Sequence, residues 1–208
     1  MESMKTLKAR AAAGDADAQF RMGYRLAFAE RAAQRDPAGA FAQWKAAALQ
    51  GHARAQFYLG TCYDRGEGTR KNTRTAMRWY TEAAKQGHPD AQYNLAFGLR
   101  MGEGVKKDPR VAARWLRMAA DQGNHDAESD LGYVLHEGVG VTADASEAAK
   151  WYRRAARHGV VRAQWNLGLC YRDGDGVPKN LRQARVWLTR AAEGGHEGAE
   201  QALAELAP

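Results

Sequence analysis

Apolar residues along this chain fall into two alternating helical stripes that return with a period of 36 residues. Ala76, Trp79, Tyr80, Ala83 and Ala84 follow the i, i+3, i+4, i+7, i+8 spacing of a helix with one buried face. Upstream, Ala55, Leu59, Gly60 and Tyr63 mark a second such helix. The positions recur in register: Trp79, Trp115, Trp151 and Trp187 form one column, Ala76, Ala112, Ala148 and Ala184 another, Leu59, Leu95, Leu131 and Leu167 a third. Each period therefore predicts a helix pair. Gly51, Gly87, Gly123, Gly159 and Gly195 fall where the second helix ends and a left-handed residue is favoured. Gly66-Glu67-Gly68, Gly102-Glu103-Gly104, Gly138-Val139-Gly140 and Gly174-Asp175-Gly176 lie between the stripes, where the chain must reverse. Asn72, Asp108, Asp144 and Asn180 directly precede the second helices and are N-caps by type and place, and Asp36-Pro37 repeats the Asp108-Pro109 arrangement.

A fixed period of this length is the mark of a repeat array, in which each unit buries its surface mainly against its neighbours. The register predicts one solenoid domain over 1–208. It divides into an N-terminal capping helix (1–14), a degenerate repeat (15–51), full repeats at 52–87, 88–123, 124–159 and 160–195, and a C-terminal capping helix (196–208). Columns that hold constant serve the stacking, so function belongs in columns that vary. The A-x-x-x-L-G segment, the G-x-G-V turn, the acidic or amide cap, A-x-x-W and A-A-x-x-G together resemble the Sel-one-like repeat family, relatives of tetratricopeptide repeats. The resemblance spans Ala55 to Gly195 as four full units, with a degenerate unit from Ala18 to Gly51. Departures are local: Thr69 replaces a valine, Ala96 replaces a glycine, and the first unit lacks the Gly-x-Gly turn and measures 37 residues from Gly14 to Gly51. The resemblance implies an all-α, right-handed α-solenoid of stacked helix-turn-helix repeats, whose first helices line the concave surface and which serves as an adaptor or scaffold. It does not imply catalysis.

With Ala55, Leu59 and Tyr63 turned inward, positions two and six after the alanine face another way at about 100° per residue. Those columns read Phe20, Phe57, Tyr93, Ser129, Trp165 and Tyr24, Thr61, Phe97, Tyr133, Leu169. Beside them Asp64, Arg100, His136, Arg172 and Arg65, Met101, Glu137, Asp173 change charge from unit to unit. Aromatic anchors beside variable polar residues are what a partner-reading surface needs. The expected partner-binding residues are Phe57, Thr61, Asp64, Tyr93, Phe97, Arg100, Met101, Tyr133, His136, Trp165, Leu169 and Arg172, with Arg100, His136 and Arg172 pairing acidic groups. The position-two aromatics either project to a partner or pack between adjacent first helices. Gln56, Gln92, Gln164, Asn94 and Asn166 recur too faithfully for selectivity and are expected to hydrogen-bond backbone between units.

Composition narrows the partner. The formal net charge is +7 and the isoelectric point near 9.5, but the arginines interleave with Glu82, Asp121, Glu147 and Glu193, which reads as a solvated helical face and not a nucleic-acid surface. An acidic protein or peptide suits the surplus, and loss of binding at high salt would reveal it. Cys62 and Cys170 hold the same position three repeats apart; at roughly 10 Å per repeat they lie beyond the roughly 7 Å reach of a disulfide. That fits a reducing compartment and a cytoplasmic location, which a trimmed signal peptide would change to periplasmic or secreted. No stretch approaches the ~18 apolar residues of a membrane span. His52, His88 and His196 sit in separate inter-repeat turns, and His125, His136 and His158 lack ligands at metal spacing, so no metal site or cofactor is expected. Ser3, Ser129 and Ser146 are the serines and none begins S-x-x-K, which disfavours a β-lactam-binding hydrolase although some family members carry such labels. The expectation is a non-enzymatic interaction module, with an immunity protein or antitoxin that occludes a toxin as the alternative and oligomeric state left open.

Overall fold

Helix boundaries follow from their caps. In the computed structural model, which describes residues 2–206 apart from the side chain of Ala32, Asp36, Asn72, Asp108, Asp144 and Asn180 each accept the backbone N–H three residues on, at 2.8 to 3.0 Å. Losing such an acceptor typically costs about 1 kcal/mol. At the other end, Gly51, Gly87, Gly123, Gly159 and Gly195 adopt φ of 83° to 89°, and the next amide closes back on the last turn, as His52 N–H does on the Ala47 carbonyl at 3.2 Å. Among the described residues the chain forms twelve α-helices, one 3-10 turn and no strand.

The helices gather into two units, Met1–Lys107 and Asp108–Pro208. Unit 1 contains α1 (Met4–Ala12), α2 (Ala16–Ala27), α3 (Pro37–Leu49), α4 (Ala53–Arg65), α5 (Thr73–Lys85) and α6 (Pro89–Met101). Unit 2 contains α7 (Pro109–Asp121), α8 (His125–Glu137), α9 (Ala145–Arg157), α10 (Val161–Asp173), α11 (Leu181–Glu193) and α12 (Ala199–Glu205). Inside each unit every helix packs on the next in the chain, the nearest-neighbour economy of a repeat stack. α1 packs on α2 and α12 on α11; Met1, Ala207 and Pro208 of the expected capping segments lie outside the described residues. In the first repeat the missing Gly-x-Gly turn is replaced by a longer path: α2 ends at Ala27, Ala32–Gln34 forms the 3-10 turn, and Asp36 N–H returns to the Leu26 carbonyl at 2.9 Å.

Pairs of small and large residues set how closely the helices approach. Gly23 faces Trp44, Gly60 faces Tyr80 and Gly132 faces Tyr152; a Cβ on Gly60 would lie 2.7 Å from the tyrosine ring. The amide bonds expected of the glutamines are present and join repeats, whereas Asn94 bonds the Tyr80 hydroxyl instead of backbone. Gln19, Gln56, Gln92 and Gln164 are buried and donate to the carbonyls of Ala11, Ala48, Ala84 and Ala156 at 3.2 to 3.3 Å. Each carbonyl belongs to the last turn of the preceding helix. Gln50 and Gln86 donate in turn to Gln19 and Gln56 at 2.8 and 2.7 Å.

Unit 2 breaks this pattern at α8, where Glu128 takes the glutamine position at 1% exposure. A carboxylate cannot donate to a carbonyl. Arg154 supplies what is missing, standing 2.8 Å from Glu128 and 3.4 Å from the Ala120 carbonyl. His125 Nδ1 approaches the other Glu128 oxygen at 3.2 Å, its ring stacked 3.7 Å from that of His158. Nearby, the buried Asp130 pairs with Arg162 at 3.2 Å.

Candidate partner-binding face

The position-two aromatics pack along the stack. Phe20 lies against the His52 ring at 4.8 Å, Phe57 against His88 at 4.6 Å and Trp165 against His196 at 4.4 Å, all near-parallel. Phe57, Tyr93 and Trp165 are half-buried, and Ser129 in the same column is buried. His52 and His88 cap α4 and α6, their Nδ1 atoms accepting from Ala55 N–H at 3.2 Å and Ala91 N–H at 3.4 Å. An accepting Nδ1 requires the neutral ring with its proton on Nε2. Burial, the larger influence, holds the His88 pKa below the ordinary histidine value. Sequence reasoning placed these histidines in turns but did not give them a capping role.

Position six carries the exposed rings. Tyr24, Phe97 and Tyr133 are 44%, 38% and 43% exposed. Thr61 and Leu169 are half-buried, and Thr61 donates back to the Phe57 carbonyl at 3.2 Å. In unit 1 Arg100 lies 5.6 Å over the Phe97 ring beside exposed Met101, while Asp64 is half-buried. In unit 2 Tyr133, His136 and Leu169 converge on a pocket of ≈ 230 Å³ that Glu137, Asp173 and Asp175 also line. His136 stands between two carboxylates, Nδ1 at 2.7 Å from Glu137 and Nε2 at 2.6 Å from Asp175. Its pKa is raised, chiefly by the Glu137 bond and then by Asp175. Arg172 forms two bonds to Asp173 at 2.8 and 2.9 Å and lies 3.5 Å from Glu205. These two expected partners of acidic groups are thus already engaged with carboxylates of their own chain.

Two aromatics of this face escaped sequence reasoning. Phe28, 53% exposed, and Tyr58 join Tyr24 in a cluster whose ring centroids lie 4.7 Å (Tyr24 to Phe28), 6.0 Å (Tyr24 to Tyr58) and 6.1 Å (Phe28 to Tyr58) apart. Exposed Arg54 sits 4.7 Å over the neighbouring Phe20 ring. The signal was present: Tyr58 is the aromatic of a column that otherwise reads Asn94, Asp130 and Asn166, and Phe28 occupies the column of Arg65, Met101, Glu137 and Asp173.

Burial pushes the Cys62 and Cys170 thiols up to about 12 and about 11, which makes them poor nucleophiles. Among the described residues no group of three His, Cys, Asp or Glu side chains is arranged to hold a metal ion, and no helix is long and apolar enough to cross a membrane.

Several solved structures similar to this chain are themselves Sel1-type repeats. A Sel1 repeat protein from Oxalobacter formigenes is 32% identical with a TM-score of 0.86, covering 96% of this chain and 79% of that one. The c5321 protein, a protective antigen of uropathogenic Escherichia coli displaying an SLR fold, is 30% identical with a TM-score of 0.62 over 98% of this chain; the chain spans about half, 51%, of its length. Immunity protein PA5088 from Pseudomonas aeruginosa is 25% identical with a TM-score of 0.52, covering 88% of this chain and 66% of that one. No curated protein matches the sequence. The Sel1 repeat model matches five consecutive segments, 16–52, 53–88, 89–124, 125–160 and 161–196, and with the capped helix pairs above this means that the chain belongs to the Sel1 repeat family.

Proposed function

We propose that the protein is a non-enzymatic interaction module that holds a protein or peptide segment along the exposed side of its first helices. The observation that carries this reading is position six, where exposed rings recur on α2, α6 and α8 while the constant alanine and leucine columns are buried. Exposed aromatics in a repeating register contribute little to stacking, and buried aromatic anchors dominate interface energies. Sel1 repeats generally mediate protein–protein interaction. Phe97, Met101 and Tyr133 act as anchors, the stacked Phe57 and Trp165 and the half-buried Tyr93 shape the wall, and Thr61, Asp64, Arg100, His136, Leu169 and Arg172 tune selectivity. Acidic groups of a partner suit Arg54, which makes no ion pair among the described residues. Two unpaired buried thiols fit a cytoplasmic setting. The test combines Tyr24→Ser, Phe97→Ser and Tyr133→Ser, all at exposed sites, with circular dichroism to verify folding. Partners recovered by affinity capture from cells should be lost; full retention by the folded variant sinks the proposal.

A second reading, an immunity protein that occludes one toxin, draws on the likeness to PA5088. Co-expression with a toxin encoded beside the gene separates the two, since only an immunity protein restores growth.

A further inference from the structure

The unit 2 pocket between α8, α9 and α10 is lined by a tyrosine side chain that the stacking contacts do not use for a side-chain hydrogen bond. Tyr152 lines it at 2% exposure, and its hydroxyl makes no hydrogen bond to another described side chain. A phenol hydroxyl that borders a cavity can accept from or donate to a bound group. Tyr80, in the same column of unit 1, has two partners: its hydroxyl reaches Thr61 at 3.5 Å and also bonds to Asn94. In unit 2 Tyr133 stands at the threonine position, and the hydroxyl of Tyr152 faces the cavity instead. The rest of the lining pairs apolar surface from Tyr133 and Leu169 with the Asn166 amide and the carboxylates of Glu137, Asp173 and Asp175. Arg172 occupies Asp173, so Glu137 and Asp175 are the carboxylates that only His136 bridges.

We propose that this pocket receives an arginine side chain of the partner, its aliphatic stem against Tyr133 and Leu169 and its guanidinium donating to Tyr152 Oη, Asn166, Glu137 and Asp175. The proposal rests on the first-helix face being the partner surface. A guanidinium offers five donors in a planar fork and keeps its charge, which suits several acceptors around one cavity better than an ammonium. The complementarity is local, because the lining carries three carboxylates and a single histidine.

His136 then makes the site pH-dependent. The groups facing it are Glu137 on α8, Tyr152 on α9, Cys170 and Asp173 on α10, and Asp175 in the following turn, with Lys179 beside Asp173. A protonated His136 occupies the carboxylates that the guanidinium needs. Affinity for arginine therefore rises as pH rises through the His136 pKa, and falls by up to about tenfold for each pH unit below it.

The test uses the full chain and N-acetyl-arginine amide as probe, followed by NMR at the His136 and Tyr152 ring protons, with N-acetyl-citrulline amide as the uncharged isostere. Expected results are saturable shifts with the arginine probe, weaker binding at pH 5.5 than at pH 8, and at least about fivefold weakening in Asp175→Asn and Glu137→Gln. Both substitutions fall at exposed positions, so folding is retained. No saturable shift, an equal response to citrulline, or unchanged affinity in both variants overturns the proposal. Failure here with partner capture still lost in the Tyr24, Phe97, Tyr133 variant removes the pocket alone; arginine binding with capture intact removes the reading of the face.

Discussion

Unit 1 holds 18 Lys and Arg against 10 Asp and Glu, and unit 2 holds 13 against 14. The basic surplus therefore belongs wholly to unit 1, and the overall isoelectric point describes neither half. The contrast extends inward. Unit 1 joins its repeats through amides: Gln56 donates to the Ala48 carbonyl and accepts from Gln86. At α8 unit 2 joins them through a carboxylate and an arginine, Glu128 with Arg154. One backbone geometry thus accepts two chemistries, provided that each supplies a donor to the same carbonyl. The repeat fixes what must be satisfied, and leaves open by what.

The largest expected effect comes from forcing the unit 2 solution onto unit 1. Gln56→Glu removes the donor to the Ala48 carbonyl, and the arginine position of unit 2 is held here by Glu82. A buried carboxylate facing a carbonyl should cost about 3 kcal/mol, read as a lowered urea midpoint at pH 7 that partly recovers near pH 4. The reverse exchange, Glu128→Gln with Arg154→Met, should be close to neutral. Arg154→Met alone should cost roughly 2 kcal/mol, discounted because the arginine is half exposed. An unchanged midpoint in Gln56→Glu would mean that the amide lock does not hold the repeats together.

Next in size are the close approaches. Gly60→Ala in unit 1 and Gly132→Ala in unit 2 place a methyl 2.7 and 2.6 Å from the facing tyrosine rings, and overpacking of this kind costs about 1–3 kcal/mol. Equal losses would show that this contact is shared where the charge chemistry is not; a loss confined to one unit would show that the other can relax.

Caps distinguish the units more finely. Asp144→Ala should cost about 1 kcal/mol. The first helices α2, α4, α6 and α8 have side-chain caps in Asp15, His52, His88 and Asn124, whereas Val160 before α10 supplies none. Val160→Asn should therefore stabilise by roughly 0.5–1 kcal/mol, seen as a raised thermal midpoint. A fall would mean that burial of the valine outweighs the cap.

The fold was legible because its signals are local and repeat: the spacing of Trp79 and Ala76, the Asn72 cap and the glycine punctuation each specify a helix limit without tertiary information. The face was only half legible. Periodicity locates position six, and Tyr24, Phe97 and Tyr133 are exposed there, but it cannot show that a neighbouring ring covers Phe57 or that His136 and Arg172 are bound to their own chain. The stack of Phe57 on His88, the bond of His136 to Asp175 and the approach of Arg172 to Glu205 join segments far apart in the sequence, and the bonds of His136 to Glu137 and Arg172 to Asp173 depend on a neighbour that varies among repeats. Phe28 was hidden for another reason: the first repeat lacks the Gly-x-Gly turn that sets the register at its helix end.

The smallest effect concerns pH and should have opposite sign in the two units. In unit 1 burial lowers the His88 pKa from 6.5, so the unfolded chain takes up a proton before the folded one does, and stability is lost as pH falls below about 6.5. In unit 2 carboxylates raise the His136 pKa from 6.5, so its contribution is fully present below about 6.5 and is lost as pH rises through the folded value. NMR titration of the two Cε1 protons should find His88 below and His136 above 6.5. His88→Asn keeps a capping acceptor of the kind Asn124 provides, and should flatten the acid loss of the urea midpoint between pH 7 and pH 5. His136→Gln should steepen the change between about pH 8 and pH 6.5, because the opposing gain accrues there and is removed. Curves that move together in both variants would show that these histidines titrate as one group with the surrounding charges, and the contrast between the units would then lie in their carboxylates alone.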